Sequence, residues 1–154
     1  MSNDTYLAAL KMLAGRELSE AQVRQRLARR GHGEGDVDLA IERLKANGTI
    51  DDSRAAAVIA RRETTVRRRG KARVSSRLRA AGIASAIADR AVQQAFQDVD
   101  ADALLASALD KRLRGRTGIV DEKEFNRLYR YLVGQGFEPD RVLAQLRAVR
   151  KSRT

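Results

Sequence analysis

Eight basic side chains fall between positions 61 and 77: Arg61, Arg62, Arg67, Arg68, Arg69, Lys71, Arg73 and Arg77. Their shared chemistry is anion recognition. A guanidinium presents a planar fork of donors that fits phosphate or carboxylate bidentately, and all but one of the eight are Arg. Charges this dense repel one another, so the run is costly without an anionic partner. A second basic group closes the chain at Arg147, Arg150, Lys151 and Arg153.

Residue types suited to bond-making are scarce. There is no cysteine, which removes thiolate nucleophiles, disulfides and cysteine zinc sites together. The lone histidine, His32, lies in Gly31-His32-Gly33-Glu34-Gly35 and reads as a surface loop residue. One imidazole cannot make a His-based metal site. The same glycines follow a helix pattern rather than a strand, so the context of a nucleotide-binding fingerprint is missing. Asp51-Asp52 is an acidic pair with no nearby catalytic partner and is expected to cap a helix. No Ser-His-Asp set can be assembled. The expectation is a binding protein that is not an enzyme and uses no metal or cofactor.

The basic run needs elements to present it, and an internal repeat indicates which. An aliphatic residue, Leu four later and Gly four after that occur at Val23-Leu27-Gly31, Val74-Leu78-Gly82 and Leu128-Leu132-Gly136. The glycines are 51 and then 54 residues apart. Residues four apart share a helical face, and a Gly just past the last turn stops a helix. Ser19 with Gln22 forms a capping box, and Asp121 with Glu122 and Glu124 places negative charge at a helix start.

A further helix follows each motif glycine. Val37, Ile41 and Leu44 mark it in the first copy, and Val142, Leu146 and Val149 in the third. Another helix opens each copy, marked by Leu10 and Leu13, by Ala56 and Ile59, and by Leu105 and Leu109. The predicted fold is all-α: three tandem three-helix, helix-turn-helix-like repeats over 1–50, 51–100 and 101–154, forming an elongated, curved molecule. Four of the six aromatics (Phe125, Tyr129, Tyr131, Phe137) fall in the third copy, where they read as core anchors. The longest loop, Arg114–Val120, is rich in Gly and Arg.

The net charge of +11 is unevenly divided: +1 in the first third and +5 in each of the others. Between Arg54 and Arg79 ten basic residues face one acid, Glu63. A helix starting near Gly70 would set Arg73 and Arg77 on one face and Val74 and Leu78 on the adjoining, buried one. The contact surface is therefore expected in the middle repeat, against an extended polyanion. No apolar run approaches the roughly 18 residues of a transmembrane helix. The N-terminus shows no secretory pattern, so the expected state is a cytoplasmic monomer away from membranes.

Three stretches match a known family. Gly48-Thr49-Ile50-Asp51-Asp52 with Arg54-Ala55-Ala56, then Gly70-Lys71-Ala72-Arg73-Val74 with Leu78, Gly82 and Ile83, resemble the bacterial RecX regulatory proteins. Ala9-Leu10 through Leu13-Ala14, with Arg16, Leu18 and Ser19, is similar to that family's first unit. One departure is Ala55, where the family usually carries an aromatic residue; it implies a differently filled core.

The resemblance implies a modulator, usually an inhibitor, of the RecA recombinase in homologous recombination, DNA repair and the SOS response. It also implies a place in the groove of the RecA–DNA filament, touching protein and DNA. The alternative is a stand-alone DNA-binding helical module, non-specific in sequence because the basic helix offers few base-reading Asn or Gln side chains.

Overall fold

A computed structural model of the chain describes residues 2–151, with side chains for residues 3–150. Among the described residues all regular secondary structure is helical. The helices are α1 (Ser2–Gly15), α2 (Glu20–Arg29), α3 (Glu34–Ala46), α4 (Asp52–Thr65), α5 (Lys71–Ala80), α6 (Ser85–Ala95), α7 (Ala101–Leu113), α8 (Glu122–Gly134) and α9 (Pro139–Lys151). They fall into three consecutive triplets, α1–α3, α4–α6 and α7–α9, in step with the sequence repeat.

The repeated motif acts as the spacing predicts. At the end of α2 the His32 amide donates to Leu27 O and the Gly31 amide to Ala28 O. The same pair of bonds recurs as Ile83 to Leu78 with Gly82 to Arg79, and as Phe137 to Leu132 with Gly136 to Val133. Each is a Schellman stop, and it requires a left-handed residue at the glycine. Gly31, Gly82 and Gly136 have φ of 87°, 75° and 97°.

The residue after the glycine should pack back on the motif leucine. Ile83 and Phe137 are buried with Leu78 and Leu132. The first copy carries His32 there. It is half-buried, and its Nδ1 is 2.9 Å from the hydroxyl of buried Thr5 on α1. The sequence placed His32 as a surface loop residue; it lies in the turn, but its position after a helix stop leaves it half-buried against Thr5.

The N-terminal signals also appear as bonds. Ser19 accepts from the Gln22 amide while Gln22 Oε1 accepts from the Ser19 amide. Asp121 accepts from the Glu124 amide, and Asp51 from the Ser53 and Arg54 amides. Asp52 opens α4, yet its carboxylate accepts from the Glu20 amide and so caps α2 at 2.8 Å. Both acids of the pair are thus spent on orphan helix amides. Arg54 donates to Gly48 O, Thr49 O and Glu17, which fixes the turn between α3 and α4.

Contacts divide the chain into two compact units. The first comprises 1–59 with 77–91, and the second 60–76 with 92–154. The first holds the cluster Ala9, Met12, Leu18, Val23, Leu27, Val37, Ile41, Leu44 and Ile50. The second holds Leu105, Leu109, Leu113, Phe125, Leu128, Leu132, Phe137, Val142 and Leu146, with Tyr129 and Tyr131 packed on it. The predicted anchor role of the third-copy aromatics is met there. Ile119, in the Gly- and Arg-rich loop, is buried in the same cluster.

The middle triplet buries mostly small side chains: Ala55, Ala56, Ala60, Ala81, Ala88 and Ala91, beside Val74, Leu78, Ile83 and Phe96. Each alanine contributes little apolar area. Ala55 is fully buried where an aromatic residue was expected from the resemblance.

Within each unit, one triplet's second helix docks on a turn of another by the same device. In the first unit, the Ser19 hydroxyl donates to Ala81 O, the carbonyl just before Gly82. In the second, the Gly70 amide donates 2.9 Å to Gln135 O, the carbonyl just before Gly136, and the Ala72 amide donates to Gly136 O. Ser19 and Gly70 are equivalent positions, 51 residues apart. Ser19 is therefore both a cap and a joint. Ser19→Ala should cost about 1–2 kcal/mol, at the upper end for an N-cap. Thermal unfolding checks this; a Tm equal to wild type would show that the joint carries no stability.

Candidate polyanion-binding surface

The loop from Val66 to Gly70 follows α4 and leads into α5. Its backbone is pinned at both ends. The Val66 and Arg67 amides donate to Arg62 O, and the Arg69 amide donates to Glu63 O. Gly70 is held on the α8–α9 turn by its bond to Gln135 O. Turning the chain between these anchors puts Arg68 at φ 52°, a left-handed value unusual for a side chain with a Cβ.

This pinned loop sends its basic side chains in different directions. Arg61 and Arg62 are exposed near the end of α4, and Arg67 is exposed on the loop. Arg68 is half-buried. Arg69 turns inward and pairs with Glu63 at 3.0 Å, the two side chains 15% and 6% exposed. Arg69 thus serves the fold, where the sequence placed it on the contact surface.

Lys71 lies 5.7 Å from the centre of the Phe96 ring, a cation–π distance. Arg73 is exposed on α5, its backbone against Gly136. Arg77 is exposed on the same helix but belongs to the first unit. Among the described residues, no carboxylate lies within ion-pair distance of Arg61, Arg62, Arg67, Arg68, Lys71 or Arg73.

The remaining motif residues are structural. Ile50, Val74, Leu78 and Ile83 are buried, Val74 and Leu78 completely. Gly48 has φ 77° at the end of α3. A Cβ on Gly70 would run into Gly136 O and lie 2.7 Å from Phe137 N, and one on Gly82 would strike Ala21 Cβ. Each of these residues fills a core or shapes a turn.

The structure adds residues to the surface. Arg67 and Arg68 share a cleft in the second unit with Lys111, Arg112 and Arg114, at the end of α7. These three lie more than 40 positions further along the chain, so no local spacing links them to the loop. Their one sequence signal is the short run Lys111-Arg112-Leu113-Arg114-Gly115-Arg116. Its last member, Arg116, is occupied by buried Glu124 at 3.0 Å.

In the C-terminal basic group, Arg150 pairs with Glu122 at 2.7 Å and lies over Phe125. Arg147 is exposed. Arg153 and the side chain of Lys151 lie outside the described residues. Among the described residues no His, Asp and Glu side chains gather into a metal-binding group, and no helix is long and apolar enough to cross a membrane.

Comparison with known proteins places this architecture. Residues 6–44 match the family model for the RecX first three-helix domain. A regulatory protein RecX of Halorhodospira halophila is 33% identical over 138 residues, covering 89% of this chain and 83% of the relative. One from Acidithiobacillus ferrooxidans is 32% identical over 151 residues, covering 97% and 93%.

Two crystal structures share the fold. One, of a regulatory protein RecX, has a TM-score of 0.74 at 22% identity and covers 96% of this chain and 71% of its own. The other, RecX from Lactobacillus salivarius, has a TM-score of 0.68 at 21% identity and covers 96% and 97%. With a relative 33% identical matched over most of both lengths, and the same fold in solved structures, the chain belongs to the RecX family of regulatory proteins.

Proposed function

We propose that this chain binds the RecA–DNA filament and inhibits the recombinase, acting as a steric ligand and not as a catalyst. The observation that carries this reading is the unneutralised basic group Arg61, Arg62, Arg67, Arg68, Lys71 and Arg73 in the second unit. A pinned loop and a helix start hold much of this charge in place, so less entropy is lost when it meets an anionic surface. Family membership supports a regulatory role, and the RecA partner follows from the resemblance on which the family was first identified. Cytoplasmic location and a monomeric state belong to the same reading.

The test is RecA-dependent ATP hydrolysis and strand exchange on single-stranded DNA, with and without the protein. Both should fall at stoichiometric levels, and an Arg61→Ala/Arg62→Ala/Arg73→Ala variant should require several-fold more protein. Undiminished recombinase activity at stoichiometric wild-type protein would refute the proposal.

A further inference from the structure

The cleft between the basic loop and the end of α7 has a volume of about 200 Å³. Five cations line it: Arg67, Arg68, Lys111, Arg112 and Arg114. No acidic side chain lines it, and among the described residues none of the five has a carboxylate partner. Five cationic residues around so small a space repel one another, and an anion placed among them relieves that repulsion.

Two further observations distinguish this cleft from an ordinary basic face. Among the described residues only two non-glycine residues have positive φ, Arg68 and Arg114, both at 52°. Both line the cleft. The left-handed conformation costs a side-chain-bearing residue energy that glycine avoids, and such strain gathers at binding sites. In addition, the Arg112 guanidinium stacks 4.4 Å from the centre of the Tyr131 ring, also in the lining. The stack restrains a long side chain before any ligand arrives.

We infer that this cleft is a phosphate-binding site for a single nucleic-acid strand, built jointly by the loop before α5 and the end of α7. Guanidinium forks match phosphate oxygens, and Arg planes and aromatic rings are the surfaces on which unpaired bases stack. Five of the eight lining residues are Arg or Lys, whose donors match phosphate, and an acidic peptide is the competing ligand that the experiment must separate. The inference rests on the polyanion reading of the basic loop but requires no recombinase.

The experiment is fluorescence anisotropy of a labelled oligothymidylate with the full chain and no RecA, over a range of salt concentrations. Lys111→Ala/Arg112→Ala should weaken binding about tenfold and shallow the log–log salt slope by about 1.4, as for two lost single-strand phosphate contacts. Arg114→Gly should also weaken binding while leaving Tm equal to or above wild type. A purely structural Arg114 would lower Tm and spare affinity, overturning its place in the site.

Wild-type affinity in the Lys111→Ala/Arg112→Ala variant overturns the proposal. Equal displacement of the oligonucleotide by polyglutamate of matching charge overturns the nucleic-acid assignment. Displacement by pyrophosphate at equal phosphate concentration would move the ligand to a free phosphate and overturn the strand assignment. Failure of the recombinase assay bears on the filament reading alone, because the anisotropy contains no filament.

Discussion

Gly136→Ala should lower the melting temperature by about 10 °C, corresponding to about 3–5 kcal/mol in a chain of this size. Two penalties combine at this position. Its φ of 97° is strained for any side chain. A Cβ there would also run into the Arg73 amide, lie 2.6 Å from Arg73 Cβ and 2.8 Å from Gly70 O. Neither backbone can retreat, because the Gly70 and Ala72 amides are bonded to Gln135 O and Gly136 O.

Gly48→Ala provides the control. Its φ of 77° carries the first penalty, but nothing lies within 4 Å of the new Cβ. Its cost should be about 1–2 kcal/mol, or roughly 3–6 °C. Hydrogen exchange should show faster exchange at Gly70 and Ala72 in Gly136→Ala and no change there in Gly48→Ala. Equal melting temperatures for the two variants would mean that the docking of α5 on the α8–α9 turn contributes nothing.

Arg69→Ala should behave as a folding mutant and leave the anion chemistry largely intact. The Arg69–Glu63 pair is mostly shielded from water, at 15% and 6% exposure. Removing one charge-assisted hydrogen bond from a buried carboxylate costs about 1.5–3 kcal/mol, hence roughly 3–12 °C in Tm. High salt should not erase the deficit, since a buried pair is poorly screened. Arg67→Ala, two positions away and exposed, should change stability by no more than about 0.5 kcal/mol. Its effect should appear in oligonucleotide binding instead. An Arg69→Ala protein that melts like wild type yet loses the anionic partner would return Arg69 to the contact surface.

These two positions show where sequence reasoning reaches and where it stops. Residues near in sequence determine a helix and its stop, so an aliphatic residue, Leu four later and Gly four after that were enough to place three left-handed helix stops. The caps at Ser19, Asp51 and Asp121 were legible for the same reason: each acts on amides within a few positions. Asp52 was not fully legible, because the amide that it caps belongs to Glu20 on another helix.

Within the basic run, composition revealed the charge but not its direction. Arg67 and Arg69 are chemically identical and two positions apart; one is exposed, and the other is turned onto a buried acid. A loop held at Glu63 and Gln135, with a left-handed turn at Arg68, makes that choice. The anchor at Gln135 lies 65 positions from Gly70.

The basic run between Arg61 and Arg77 was therefore determined by the sequence as chemistry: an arginine-rich stretch suited to anions, on a helical repeat. Tertiary structure decided its membership. It removed Arg69 to the interior and set Lys71 over Phe96. It also brought Lys111, Arg112 and Arg114 to Arg67 and Arg68. The physical reason is that charge count is additive along the chain, whereas a binding cleft depends on which backbone segments can approach. That approach is controlled by Gly70 and Gly136, where no side chain fits between the two turns.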